Sequence, residues 1–235
     1  MDSQRAADLQ RFYSAIDRLQ KRLGGARTLG GSSGRLSWPQ RGVYFFMEDG
    51  ETRSDTGGGA RIVRVGTHAL KSESGTRLWT RLSQHRGRAR SGGGNHRGSI
   101  FRLIVGAALK ERDGIVCDSW DVGNSASAQI RAGEVALESE VSRFIGAMPF
   151  VWIEAGDEPG PGSTRGYIER NAIALLSNYG KEPIDAPSAT WLGRYCDREK
   201  VKKSGLWNSN HVDETYDPKF LDCLDEHVLA MEQIA

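Results

Sequence analysis

The chain has 235 residues, of which 38% are hydrophobic, 26% charged and 8% aromatic, a composition that excludes a disordered or fibrous protein. No apolar run reaches the roughly 18 residues that a membrane span needs, and residues 1–22 lack the apolar core of a signal peptide. The three cysteines are far apart and form no CxxC pair, which argues against a disulfide framework or a structural zinc site. We therefore expect a soluble protein of a reducing cytoplasm with no membrane partner.

The net charge is only +2, but the basic residues are concentrated in one window. Residues 74–110 contain eight lysines and arginines and no Asp or Glu. The remaining 24 basic residues face 30 acidic ones, so the rest of the chain has a net charge of −6. A cationic segment on an acidic body is typical of a protein that binds a polyanion, and a solvated charged face is the alternative.

Apolar periodicity predicts a helix over residues 4–23, followed by a Gly/Ser-rich stretch that ends at Gly34. We expect residues 1–34 to form an N-terminal arm whose apolar face packs on the main domain or on a second copy. Runs rich in β-formers predict strands over residues 42–47 and 61–67, joined as a hairpin by a glycine-bearing loop. Thr76 is predicted to cap a helix that ends near Arg86, and a basic, flexible loop follows over residues 87–98.

The remaining pattern predicts a buried strand over residues 150–153 and four helices, over residues 99–110, 133–146, 164–178 and 218–234. The expected fold class is α/β (α+β), with a small mixed central sheet flanked by helices. We expect residues 35–196 to form the main domain and residues 197–235 a C-terminal extension that ends in a helix.

Several short motifs follow one another along these elements. Gly42-Val43-Tyr44 lies on the first strand, Arg64-Val65-Gly66 on the second, Arg81 and His85 on the next helix, and Glu169 on a later one. This succession resembles the GIY-YIG nuclease superfamily over roughly residues 40–190, and the Arg-x-x-x-His step is similar to its restriction-endonuclease branch. The resemblance implies a GIY-YIG-like core with insertions.

Arg81 and His85 are four residues apart on the predicted helix, so their side chains leave the same face. The forked guanidinium matches phosphate oxygens and can stabilise the extra negative charge of a phosphodiester transition state. The imidazole, whose ordinary pKa lies nearest neutrality, can accept a proton from water or from a tyrosine hydroxyl. Two surface residues in a basic stretch are the alternative.

The resemblance implies that the Tyr44 hydroxyl points into the site and orients or activates the nucleophilic water, and a tyrosine merely packed in the sheet is the alternative. Arg64 stands where the family has its second tyrosine. Activation of the water then belongs either to Tyr44 with His85 or to His68, and Arg64 becomes a predicted phosphate contact. We expect three further arginines to contact DNA phosphates: Arg77, Arg86 and Arg88.

Glu169 lies near the start of a predicted helix. One carboxylate is enough to anchor Mg²⁺ or Mn²⁺ when phosphate oxygens and waters complete the coordination. The resemblance implies that Glu169 is this metal ligand, whereas a glutamate that only favours the helix dipole is the alternative. The family also has an Asn beyond this Glu, for which we predict Asn178, with Ser188 as the alternative.

The sequence therefore predicts a metal-dependent endonuclease that hydrolyses phosphodiester bonds of double-stranded DNA, in restriction or phage defence. Because cutting two strands needs two active sites, we expect a homodimer. A catalytically degenerate DNA-binding module of the same fold is the alternative, favoured by Arg64 in place of tyrosine. An RNA nuclease is a further, weaker alternative.

Overall fold

The computed structural model describes residues 3–88 and 92–233. Part of the predicted basic loop, residues 89–91, and the end of the predicted last helix, residue 234, lie outside the described residues. The strands are β1 (Arg27–Thr28), β2 (Gly42–Thr52), β3 (Ala60–Gly66) and β4 (Pro149–Glu154). The helices are α1 (Ser3–Arg22), α2 (Leu78–Arg86), α3 (Ile100–Asp113), α4 (Ala128–Ala147), α5 (Thr164–Leu176), α6 (Glu199–Ser204) and α7 (Phe220–Ala230).

The strands form one sheet in the order β1-β4-β2-β3, and all three pairings are antiparallel. β2 lies at the centre, where Tyr44 faces Gly66 of β3 on one side and Trp152 of β4 on the other. β-Branched and aromatic residues dominate these strands, as strand propensity requires. The predicted α/β class with a small central sheet is confirmed, and so is the β2–β3 hairpin. The expectation of a mixed sheet is wrong for the described strands, because β2 and β3 form a hairpin and β4 runs opposite to both β2 and β1.

Helices cover both faces of the sheet. Successive strand residues point to opposite faces, so Tyr44 and Phe46 share one face and Phe45 lies on the other. Phe46 contacts Phe101 of α3 with ring centroids 5.4 Å apart, and Phe45 contacts Phe12 of α1 at 5.9 Å. Phe12 is fully buried, so α1 packs on the sheet of its own chain.

The predicted helices and strands all recur, with shifted ends. α4 begins five residues earlier than predicted, at Ala128, because Ser127 caps it by accepting a hydrogen bond from the Ile130 N–H. The predicted Thr76 cap is wrong: α2 begins at Leu78, and its N-cap residue Arg77 makes no side-chain cap bond. Among the described residues, no helix is long and apolar enough to span a membrane.

A late segment of the chain, residues 205–211, lies along the outer side of β3, and we call it the edge segment. The Trp207 N–H donates to the Val63 carbonyl over 2.7 Å. The Asn208 side chain accepts from the Val65 N–H at 3.1 Å and donates to the Val65 carbonyl at 2.9 Å. These bonds satisfy backbone groups that an edge strand would otherwise expose. They also bring the edge segment next to Arg64.

Candidate active site

A buried chain of hydrogen bonds joins β2 to the last turn of α2 and to the start of α3. Tyr44 is 1% exposed, and its hydroxyl lies 2.8 Å from His85 Nε2. His85 Nδ1 lies 2.7 Å from the Ser99 hydroxyl, and Ser99 in turn caps α3 by accepting from the Arg102 N–H. The tyrosine and the histidine are therefore held in contact by groups that are themselves fixed.

His85 is fully buried, and its surroundings keep it uncharged. Burial lowers its pKa well below the ordinary value, and the nearby charges of Arg81, Arg64 and Arg102 lower it further. A neutral imidazole donates through one ring nitrogen and accepts through the other. One nitrogen can thus accept the proton of Tyr44 while the other donates to Ser99.

Gly66 is required by the ring of Tyr44. A Cβ at this position would lie 2.5 Å from three ring and hydroxyl atoms of Tyr44. Glycine at the end of β3 lets the ring lie against the neighbouring strand, which aims the hydroxyl at His85. The Val-Gly pair at the end of β3 is therefore part of the geometry of the tyrosine.

Arg64 is a buried cation beside Tyr44 and His85. It is 5% exposed, its guanidinium carbon lies 4.5 Å over the Phe101 ring, and it donates to the Trp207 carbonyl. Burial lowers its pKa, while the proximity of Tyr44 and Glu169 acts in the opposite direction. Its Nε is buried and finds no hydrogen-bond partner among the described residues. Arg64, which stands where the family has its second tyrosine, thus places a positive charge next to Tyr44.

Glu169 reaches the end of β3 from the other face of the sheet. Ser163 caps α5, and Glu169 in its second turn accepts a hydrogen bond from the Thr67 N–H at 3.0 Å through Oε1. Burial raises the pKa of this carboxyl, and Arg64, His211 and Arg81 oppose that rise. The carboxyl group thus lies within the electrostatic reach of two arginines, Arg64 and Arg81, at the point where the strand ends.

The donor set suits a hard divalent cation that shares its ligands with a substrate. Glu169 Oε2 accepts no hydrogen bond from the described residues, which leaves this oxygen for a ligand. Within residues 3–88 and 92–233, no three His, Cys, Asp or Glu side chains are placed to hold a metal ion. Mg²⁺ commonly binds through one or two carboxylates, with water and phosphate oxygens as its other ligands. Glu169 fits that role.

Arg81 stands at the mouth of the site. It is partly exposed and donates to the Gly98 carbonyl at 3.1 Å and to Gln84 Oε1 at 3.0 Å. Its charge lowers the pKa of both His85 and Glu169. The structure therefore brings together Tyr44, Arg64, Arg81, His85 and Glu169.

His68 is the alternative residue considered for activation of the water. It is 5% exposed, and burial lowers its pKa to about 4, so it is neutral at pH 7. The tyrosine hydroxyl contacts His85 instead. The geometry favours Tyr44 with His85 for activation of the water.

Two residues considered for the supporting amide or hydroxyl lie away from these five. Asn178 Oδ1 accepts from Arg5 at 2.8 Å and from the Ile184 N–H at 3.0 Å, so it ties α1 to the turn after α5. Ser188 donates to Glu51 on the far half of β2. The Asn208 amide, by contrast, hydrogen-bonds the Val65 backbone of β3, next to Arg64.

The remaining arginines predicted to bind phosphate divide into two groups. Arg77 and Arg88 are exposed and available to a ligand. Arg86 instead donates to the Ser32 carbonyl at 2.6 Å and lies 5.0 Å over the Trp79 ring, which anchors the preceding linker. These positions make Arg77 and Arg88 the better candidates.

Some of the basic residues in the window of residues 74–110 are paired with acidic residues from elsewhere in the chain. Arg97 pairs with Glu134 at 2.7 Å, and the fully buried Arg102 pairs with Glu138, both from α4. Two of the eight cations are thus neutralised by acids that lie more than 30 residues further along the chain. The expected cationic field is correspondingly weaker in the described part of the window.

Three contributors to the site were missed from the sequence. Ser99 precedes an apolar helical run, a capping signal that would have identified it. Thr67 acts through its backbone N–H, for which no sequence signal exists. The edge segment is polar and aromatic in sequence, but no motif connects Trp207 with a strand residue 143 positions earlier.

Comparison with known proteins identifies one matching family. A family model described as "GIY-YIG domain" matches residues 3–234, from the start of α1 to beyond α7. No curated protein and no solved structure matches the chain.

Proposed function

The chain belongs to the GIY-YIG domain family, whose members are generally endonucleases, and from this we propose that it is a metal-dependent endonuclease acting on phosphodiester bonds of double-stranded DNA. The observation that carries the proposal is the 2.8 Å contact between Tyr44 and His85. That contact lies where Arg64, Arg81 and Glu169 also meet. A catalytically degenerate DNA-binding module has no need for a buried, neutral histidine that contacts a tyrosine hydroxyl.

Activation of the nucleophile follows from the buried hydrogen-bond chain. The tyrosine proton passes to His85 Nε2, while Nδ1–H donates to Ser99. As the water oxygen bonds to phosphorus and the bond to the leaving oxygen breaks, the Tyr44 phenolate takes the proton of the water, and the leaving oxygen takes a proton from solvent. Arg64 stabilises the developing phenolate, since an opposite charge nearby favours the ionised form. Arg64 thus compensates for the absent second tyrosine.

Stabilisation of the phosphate falls to the mouth of the site. Arg81 offers N–H groups to the phosphate oxygens, where a preorganised donor is worth about 10²–10³-fold in rate. Glu169 would hold the Mg²⁺ or Mn²⁺ ion, which neutralises negative charge on the phosphate or the leaving oxygen when bound. The exposed Arg77 and Arg88 would contact neighbouring phosphates.

A role in restriction or phage defence is supported by the Arg-x-x-x-His step, because both of its residues, Arg81 and His85, lie at the site. We extend the proposal to a homodimer, since cleavage of two strands needs two sites. Such an enzyme would work in the cytoplasm, where its DNA substrate lies. Sedimentation of the protein with and without a duplex measures the stoichiometry directly.

The test is cleavage of supercoiled plasmid with Mg²⁺, with Mn²⁺ and with EDTA. Glu169→Gln and Arg81→Ala are compared with Glu158→Gln and Arg170→Ala, which alter exposed side chains of the same types. We expect metal-dependent nicking that falls at least about 100-fold in the first pair and persists in the second. Salt-sensitive DNA binding with no cleavage in either metal would favour the degenerate binding module. Cleavage of RNA alone would favour the RNA nuclease.

A further inference from the structure

Glu48 lies on β2, four residues after Tyr44, and holds two tryptophans. Its Oε2 accepts a hydrogen bond from the Trp207 indole N–H at 2.9 Å and one from the Trp191 indole N–H at 3.2 Å. Both indoles are almost completely buried, and their rings contact each other at 5.2 Å. One carboxyl oxygen thus joins β2 to the edge segment.

Trp207 also contacts Arg64. Its carbonyl accepts the guanidinium N–H of Arg64, and its own N–H is bonded to Val63 of β3. The side chain of Trp207 is therefore held by Glu48 while its backbone holds Arg64. A continuous set of contacts runs from Glu48 through Trp207 to the cation beside Tyr44.

We propose that Glu48 is a positioning residue of this site: through Trp207 it fixes Arg64 beside Tyr44, and its ionisation makes cleavage dependent on pH. The inference rests on the proposed nuclease function. Glu48 itself touches neither the substrate nor the reacting groups. Its effect is exerted on the placement of Arg64, which stabilises the Tyr44 phenolate.

The surroundings of Glu48 place its charge change in the neutral range. Burial raises its pKa to about 7, with a further rise from Glu51, against the indole donors and Arg61. Four more charged residues line a cavity of about 310 Å³ with Glu48: Asp49, Arg112 of α3, and Glu140 and Arg143 of α4. An ionised carboxylate accepts shorter and stronger hydrogen bonds than a protonated one. The hold on Trp207 is therefore tightest above pH 7.

The experiment compares the wild-type protein with Glu48→Gln and Glu51→Gln between pH 5.5 and 8.5. Glu51 is a buried carboxylate of the same strand, β2, but it pairs with Arg61 instead of the indole of Trp207. Tryptophan emission is recorded against pH, and single-turnover cleavage is measured on the same samples.

We expect an emission transition near pH 7 that is lost in Glu48→Gln. It persists in Glu51→Gln at a lower pH, because the charge of Glu51 raises the pKa of Glu48. Cleavage by the wild type should rise through the same range, about tenfold per pH unit below the midpoint. Cleavage by Glu48→Gln should not show this rise with pH.

An emission transition unchanged in Glu48→Gln, or pH profiles of cleavage that superimpose, would overturn the positioning role. If Glu51→Gln and Glu48→Gln lost the emission transition and the pH dependence of cleavage equally, the effect would be general destabilisation and not positioning by Glu48. Absence of cleavage by the wild type at every pH refutes the nuclease instead, and the emission experiment still reports on the contact between Glu48 and Trp207.

Discussion

Substitution of Gly66 by alanine tests the geometry that aims Tyr44 at His85. The added Cβ would lie 2.5 Å from three atoms of the tyrosine, whereas ordinary contacts begin near 3.4 Å. The ring must therefore move by about 0.9 Å or the end of β3 must yield. A movement of that size breaks the 2.8 Å contact between Tyr44 and His85.

The expected magnitude follows from the two effects together. Forcing an extra carbon into a packed site costs about 1–3 kcal/mol, and losing a buried hydrogen bond costs about 1 kcal/mol more. The free energy of unfolding should fall by about 2–4 kcal/mol, and the Tm by roughly 5–15 °C. Cleavage by the folded variant should fall about 100-fold, since a displacement of about 1 Å has that effect on a reacting group.

The measurements are chemical denaturation, the Tm and single-turnover cleavage. Gly58→Ala is the matched control, because its Cβ would meet nothing within 4 Å. The decisive comparison is Gly66→Ala in a Tyr44→Ala background, where the contact no longer exists and the added methyl group should cost less than about 0.5 kcal/mol. A loss of stability that is the same with and without the tyrosine ring would refute the reasoning.

Three further predictions follow from the buried carboxyls. Glu169→Gln should retain DNA affinity in Ca²⁺ while losing cleavage in Mg²⁺, as measured by fluorescence anisotropy and plasmid nicking; parallel losses of both would contradict a metal-ligand role. Burial raises the pKa of Glu48 from 4.5 to about 7. Protonated Glu48 therefore favours the folded protein, and the free energy of unfolding falls as the pH rises through 7. Glu48→Gln should therefore gain up to about 3 kcal/mol relative to the wild type between pH 5 and pH 9 in urea titrations; a constant difference would be inconsistent with this. Glu138→Gln leaves the fully buried Arg102 unpaired and should lower the free energy of unfolding by about 3–5 kcal/mol, with a loss below 1 kcal/mol as the contrary result.

Much of the candidate site could be predicted because its residues fall on locally specified elements. Gly42-Val43-Tyr44 and Arg64-Val65-Gly66 lie on strands recognised by their composition, and Arg81 and His85 lie on one predicted helix. Their order along the chain was enough to indicate the family. The difference in exposure between Arg81 and His85 was not predictable, because one helix face places His85 in the core and leaves Arg81 partly exposed.

The sequence by itself determined the helices, the hairpin, the family and the types of residue at the site, since periodicity and capping act over a few neighbouring residues. Tertiary structure alone decided which partners those residues have. Glu138 neutralises Arg102 from 36 residues away, and Trp207 meets Arg64 from 143 residues away. Such contacts depend on how distant elements pack, so no local pattern records them. For the same physical reason, the neutral state of His85 and the raised pKa of Glu48 arise from burial that exists only in the folded chain.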